Sequence, residues 1–333
     1  MSSAIDGPVG DAFVSTGELP ERELVERLVH EAHDRVRTNR DGQISQVYPA
    51  LASVPADLFG VCIVGTSGVT FAAGDADYEF TIMSVSKPFV FALVCELVGP
   101  DDARERLGVN GTGLPFNSLY AVERSTDGRT NPMVNPGAIA TTSLAAGDGV
   151  EDRWRFIREG LSRFAGRELS LDPDIYVSAS EANSRNQSIA RLLESVDRVY
   201  CPPADAVELY TRQCCLRVTA RDLAVMGATL AAGGVNPLTG ERVIDPTICH
   251  YTLAVMLTAG LYESSGEWLY DVGLPAKSGI GGGIVTVSPG KGGMGTFAPP
   301  LDQEGNSVKG QLVARFLSAR LGLDLLISRP AEP

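Results

Sequence analysis

The sequence is short of positive charge, of histidine and of long apolar stretches. Its 333 residues carry 28 Lys and Arg against 41 Asp and Glu, a net charge of −13. That balance leaves little basic surface to neutralise phosphates, which argues against a nucleic-acid partner. No uninterrupted run of about 18 apolar residues occurs, which argues against a helical membrane span. The N-terminal stretch MSSAIDGPVGDAF has neither the basic start nor the apolar run of a secretion signal. Six cysteines are present without a CxxC pair, so neither a zinc knuckle nor a dense disulfide framework is signalled. Reduced, mostly buried thiols are expected, and with them a cytoplasmic location. The three histidines are His30 and His33, on one N-terminal helix without an acidic or Cys partner, and His250, which stands alone. No metal site is expected, and a Ser-His-Asp triad is disfavoured.

What remains is a folded chain, 44% hydrophobic and 21% charged, with mean hydropathy near zero. Residues 1–18 and 327–333 read as tails, the first of them mobile, and 19–326 as one catalytic domain. An amphipathic helix is expected over about 20–38. The β-prone runs Phe59 to Val64 and Val69 to Ala73 flank Gly65-Thr66-Ser67-Gly68 as a hairpin. A buried helix over Ser84 to Val98 stops at Gly99-Pro100. Helices then dominate to about 271, one of them capped by Thr219-Ala-Arg-Asp222. Strands return at Ile284 to Val287 and Met294 to Phe297, before a last helix over about 306–322. Strands early and late, with helices between them, predict an α+β fold: an antiparallel sheet from about 20–80 and 272–326, flanked by helices, beside a helical cluster from about 84–271. The polar stretch Ala121 to Thr130 is expected to be a lid.

Only four of the 28 basic residues are lysine: Lys87, Lys277, Lys291 and Lys309. Arginine keeps its proton in proteins, whereas a desolvated lysine can lose one near neutral pH and act as a base. Lys87 closes Ser84-Val85-Ser86-Lys87 at the start of the buried helix, one turn from Ser84, which brings hydroxyl and amine to one face. Ser84 could instead merely cap the helix, and Ser288-Pro289-Gly290-Lys291 repeats the spacing in a turn that cannot align the pair. The stretch Lys277-Ser278-Gly279 strengthens the first match, because it echoes the Lys-Thr-Gly element that accompanies SxxK in penicillin-recognising enzymes.

Together with Asn131-Pro-Met-Val-Asn-Pro-Gly-Ala-Ile139, Ser184-Arg-Asn186, Gly233-Gly-Val-Asn-Pro-Leu-Thr-Gly-Glu-Arg242 and Gly273-Leu-Pro-Ala-Lys-Ser-Gly279, these residues resemble the serine-dependent glutaminases of β-lactamase-like fold over roughly 22–325. The resemblance implies Ser84 as nucleophile, Lys87 as its base and Tyr262 as a phenol that relays protons. It implies substrate contacts at Asn135, Asn186, Tyr210, Tyr262 and Ile280, with the backbone N–H groups of Ser84 and Ile280 as the oxyanion hole. The implied reaction is hydrolysis of glutamine to glutamate and ammonia without metal or organic cofactor, in a homo-oligomer, a dimer or a tetramer. Two positions depart from the family: Val47 stands where it has tyrosine, and Ala179 where it has glutamate. Glu181, two residues on, would take over from Ala179 if 177–183 were extended; Tyr48 would face away from the place of Val47. Two alternatives stay open: a serine amidase or penicillin-interacting peptidase acting on another amide, and a non-catalytic amide-binding relative.

Overall fold

The computed structural model describes residues 17–327, so the expected tails fall almost wholly outside the described residues. The strands are β1 (Gln43–Ile44), β2 (Gly60–Gly65), β3 (Thr70–Gly74), β4 (Phe80–Thr81), β5 (Arg217–Val218), β6 (Ala276–Ser278), β7 (Gly283–Ser288), β8 (Gly292–Phe297) and β9 (Pro300–Leu301). The helices are α1 (Arg22–Val36), α2 (Lys87–Val98), α3 (Pro100–Leu107), α4 (Tyr120–Arg124), α5 (Asn135–Ser143), α6 (Val150–Ala165) and α7 (Pro173–Glu181). They continue as α8 (Ser184–Ser195), α9 (Pro203–Cys214), α10 (Ala220–Ala231), α11 (Pro246–Ala259), α12 (Ser265–Val272) and α13 (Val308–Leu321). The fold is α+β, with antiparallel strands at both ends of the chain. Among the described residues no helix is long and apolar enough to cross a membrane.

Five strands form one antiparallel sheet in the order β3-β2-β8-β7-β6. One face is covered by α1, α12 and α13, whose Val25, Val29, Trp268, Val313 and Leu317 pack on Val61, Ile63 and Met294. The other face lies under α10, with Ala224, Val225 and Ala228 against Cys62 and Val64. Both faces of β2 are therefore buried, which is why it reads as a continuous apolar run. Glycine sets how closely α10 settles. A Cβ on Gly293 would lie 2.3 Å from Ala224 O, and one on Gly295 2.0 Å from Ala220 O, so only glycine lets the helix backbone rest on β8. The capping box of Thr219 and Asp222 starts α10 as expected.

A second core lies between the helices, built around α2, all of whose residues from Lys87 to Cys95 are buried. The strand pair β4-β5 joins this helical region to the sheet, a link that two-residue strands do not announce in sequence. The segment 121–130, expected as a lid, begins inside α4, and Thr130 N–H donates to Leu107 O and Arg198 Nε to Asp127 O. Two expectations need correction. Ser84 lies not in α2 but in a 3-10 turn, Met83–Ser86, that leads into it. Residues 177–181 are helical, not extended. Asp172 caps α7 by accepting from the N–H groups of Asp174 and Ile175, Pro173 is pre-set for the first helical position, and Ile175 and Ala179 form the buried face.

Candidate active site

The 3-10 turn Met83–Ser86 supplies Ser84 and the first residue of α2 is Lys87, both buried. Lys87 Nζ donates to Asn135 Oδ1 at 2.8 Å and to Met133 O at 3.2 Å. Asn135 opens α5, its own N–H held by Phe116 O at 2.7 Å, and its Oδ1 also accepts from Tyr210 OH on α9 at 3.0 Å. Asn135 Nδ2 in turn donates to Asn186 Oδ1 on α8 at 3.0 Å. Four elements distant in sequence thus converge on one amide. Burial pushes the Lys87 amine down to about 7, and among the described residues no carboxylate is bonded to it to resist that shift.

Tyr262 stands in a 3-10 turn after α11 and donates from its phenol to Ser278 O at 3.3 Å. Burial raises the phenol to about 12, while the Ser84 and Ser278 hydroxyls beside it pull the other way. Lys277 Nζ lies 4.0 Å from the centre of the Tyr262 ring and donates to the same Ser278 carbonyl at 2.7 Å. Burial, and after it the charge of Lys87, hold Lys277 well below the ordinary lysine range. Phe116 packs on the Tyr262 ring at 4.7 Å. Backbone strain gathers at this site. Among the described residues only Met83 (φ 48°), Asp197 (φ 55°) and Tyr262 (φ 56°) hold positive φ without being glycine. Two of the three adjoin or belong to the Ser84–Lys87–Tyr262 group.

Ile280 follows β6. A Cβ on its neighbour Gly279 would lie 3.2 Å from Ser84 N, so the two backbone segments run side by side. Among the described residues neither the Ser84 nor the Ile280 N–H donates to a protein acceptor. Ser84, Lys87, Asn135, Asn186, Tyr210, Tyr262 and Ile280 are therefore brought to one region. Glu181 is not: it is exposed at the end of α7, while Ala179 fills the buried position. Its expected relocation fails because two residues on a helix diverge by about 200° around the axis. Val47 is 54% exposed, whereas Tyr48 packs against the helical core near Cys214. The second SxxK match is tied to the chain just after α13, with Ser288 Oγ donating to Leu323 O and Lys291 Nζ to Gly322 O.

Sequence reasoning missed Asn183 and Thr211. Asn186 Nδ2 donates to Asn183 Oδ1 at 2.8 Å, and Asn183 Nδ2 to Thr211 Oγ1 at 2.7 Å. The one-turn spacing of Asn183 and Asn186 was the available signal for the first; nothing local marks Thr211.

A family model described as Glutaminase matches residues 42–326. "Glutaminase 2" of Yersinia pestis is 66% identical over 318 residues, 96% of this chain and 94% of that protein. A "Glutaminase" of Mycobacterium ulcerans (strain Agy99) is 47% identical over 90% of this chain and 94% of its own length. Among solved structures, "Probable glutaminase ybaS" superposes with a TM-score of 0.91 at 42% identity, covering 92% of this chain and all of that one. "Probable glutaminase from Bacillus subtilis complexed with 6-diazo-5-oxo-L-norleucine" gives 0.82 at 28% identity, over 90% and 96% of the two chains. With the motif residues gathered in one buried site on the shared fold, this chain belongs to the glutaminase family.

Proposed function

We propose that the chain hydrolyses the side-chain amide of L-glutamine to L-glutamate and ammonia through an acyl-enzyme on Ser84. The observation that carries this reading is the environment of Lys87. The amine is buried, has no carboxylate partner among the described residues, is held in place by Asn135 Oδ1 and Met133 O, and stands one turn from Ser84. At neutral pH a substantial fraction is uncharged and able to take the Ser84 proton as Oγ attacks the amide carbon. Negative charge then develops on the carbonyl oxygen, for which the free N–H groups of Ser84 and Ile280 are the donors. The Lys87 ammonium passes that proton through the Tyr262 phenol to the departing nitrogen, the C–N bond breaks and ammonia leaves, giving the Ser84 ester and a neutral Lys87. Lys87 takes a proton from the incoming water, the ester bond breaks, and Ser84 recovers its hydroxyl as glutamate is released. Each step uses side chains and backbone N–H groups of this one site and water.

A cytoplasmic location and a homo-oligomer, dimer or tetramer, are part of the same reading. The free thiols described here suit a reducing compartment.

A second reading, another amide as substrate, is favoured by the buried Ala179 and by the absence of any carboxylate bonded to the seven residues above among the described residues. Purified protein given glutamine and a panel of simpler amides decides between the readings. Ammonia release from glutamine at ten or more times the rate on the others supports the first, and a reversed order supports the second. A diazoketone analogue of glutamine should alkylate Ser84 with loss of N2, adding the reagent's mass less about 28 Da, the mass of N2, to the Ser84 peptide, and an adduct elsewhere overturns the nucleophile.

A further inference from the structure

The hydrogen bonds behind Asn135 have a direction, and that direction is set at one end. Thr211 Oγ1 donates to Val207 O at 2.7 Å, one turn back along α9, so its single proton is committed and toward Asn183 it can only accept. Asn183 must therefore turn Nδ2 to Thr211 and Oδ1 to Asn186. Asn186 must in turn present Nδ2 to Asn183 and Oδ1 to Asn135. Asn135 is then left with its oxygen, not its NH2, facing Lys87 Nζ and Tyr210 OH. All three amides and Thr211 are buried, so water does not offer alternative partners.

We propose that Thr211, acting through Asn183, is a positioning residue that fixes the amide orientation of Asn135 and with it the hydrogen bonding of Lys87. This rests on the acyl-enzyme reading above. Removing the Thr211 acceptor frees Asn183 to rotate its amide and lets the chain reverse. An NH2 then faces the lysine in place of an oxygen. An acceptor favours the ammonium and a donor opposes it, so reversal lowers the amine's pKa further. General loosening of the site would admit water and move that pKa up, toward the ordinary lysine value near 10.4. The sign of the shift therefore separates orientation from mere structural damage.

The experiment compares Thr211→Val, which keeps the shape and loses the hydroxyl, with Thr211→Ser, which restores it, in the full chain. Ammonia release from glutamine is followed from pH 5.5 to 9, and folding is checked by thermal melting. For Thr211→Val the expected result is a kcat lower by about 10- to 100-fold and an acid limb moved to lower pH by roughly one unit, the scale expected of one hydrogen bond to a charged group. Thr211→Ser should return both to wild-type values. Asn183→Ala carries the same expectation, so a Thr211→Val protein that does not fold leaves the test standing. A limb unmoved or raised in a folded variant, or no rescue by serine, overturns the inference. Ser84→Ala and Lys87→Arg, run in parallel, separate the two failures. Ammonia release from Ser84→Ala, or more than about a thousandth of wild-type release from Lys87→Arg, overturns the acyl-enzyme reading itself, whereas losses of that size beside an unmoved limb overturn the orientation alone.

Discussion

An amine that titrates near neutrality restricts the pH range in which Ser84 can be activated. With Lys87 brought down to about 7 by burial, kcat/KM should climb through pH 7 and level off about one unit above it. A flat profile from pH 5.5 to 8 would show that the lysine is not the base. Lys87→Arg should reduce ammonia release at least a thousandfold, because a guanidinium cannot accept the serine proton, and Ser84→Ala should abolish it. Ser288→Ala should stay within about twofold of wild type, since its hydroxyl only donates to Leu323 O. Glu181→Gln should leave KM for glutamine unchanged, because the side chain points into solvent; a tenfold rise would return that carboxylate to the site. At this scale Ser84, Lys87, Asn135 and Asn186 could be named because they lie in short motifs with fixed offsets, and Ile280 because it directly follows one; Tyr210 and Tyr262 stand in no such motif and were named only through the resemblance to the family. Glu181 could not be placed, since Ser178 and Ser180 read as loop formers while the cap that makes α7 lies six and more residues upstream, at Asp172.

Helix α10 is the element on which the sheet half depends. It rests directly on two β8 glycines, so Gly293→Ala puts a methyl group into the backbone of α10 and should destabilise the protein by about 1–3 kcal/mol, the usual cost of overpacking a core. Urea unfolding checks this, and an unchanged midpoint would mean that the helix can lift away without cost. Elements with strong local signals were legible: the hairpin around Gly65 to Gly68, the Thr219 cap, and the amphipathic helices at either end. Strands of two residues, β1, β4, β5 and β9, were not. They are defined by partners far away in the chain and carry no periodicity of their own. The 3-10 turn before α2 was hidden for another reason. Met83 is held at positive φ by the packing around it, a conformation that its side chain does not favour and that no propensity rule anticipates.

For the whole molecule, the buried titratable groups predict how stability follows pH. Lys87, and in the same direction Lys277, are depressed by burial, so between about pH 7 and 10.4 the unfolded chain binds more protons and stability rises with pH. Burial raises Cys62, Cys95 and Cys249 to about 12 and Cys214 to about 11. Above about pH 8.5 the unfolded chain therefore loses thiol protons that the folded one keeps, and stability falls. The melting temperature should accordingly peak near pH 8 to 8.5. A steady decline from pH 7 upward would contradict the buried, carboxylate-free lysine pair.

The strand order of the sheet has a further consequence, in the order of events during synthesis. The hairpin β2-β3 is complete by residue 74, yet its neighbour β8 starts at residue 292, about 220 residues later. At a synthesis rate of roughly 5–20 residues per second, the nascent β2 edge waits on the order of 10 to 45 s for that partner. During that interval Val61 and Ile63 lie on an open, apolar strand, the kind of edge that pairs with other chains. A ribosome that stalls at residue 291 will have made every residue assigned a chemical role here. It will not have made the strand against which β2, β7 and α10 are assembled.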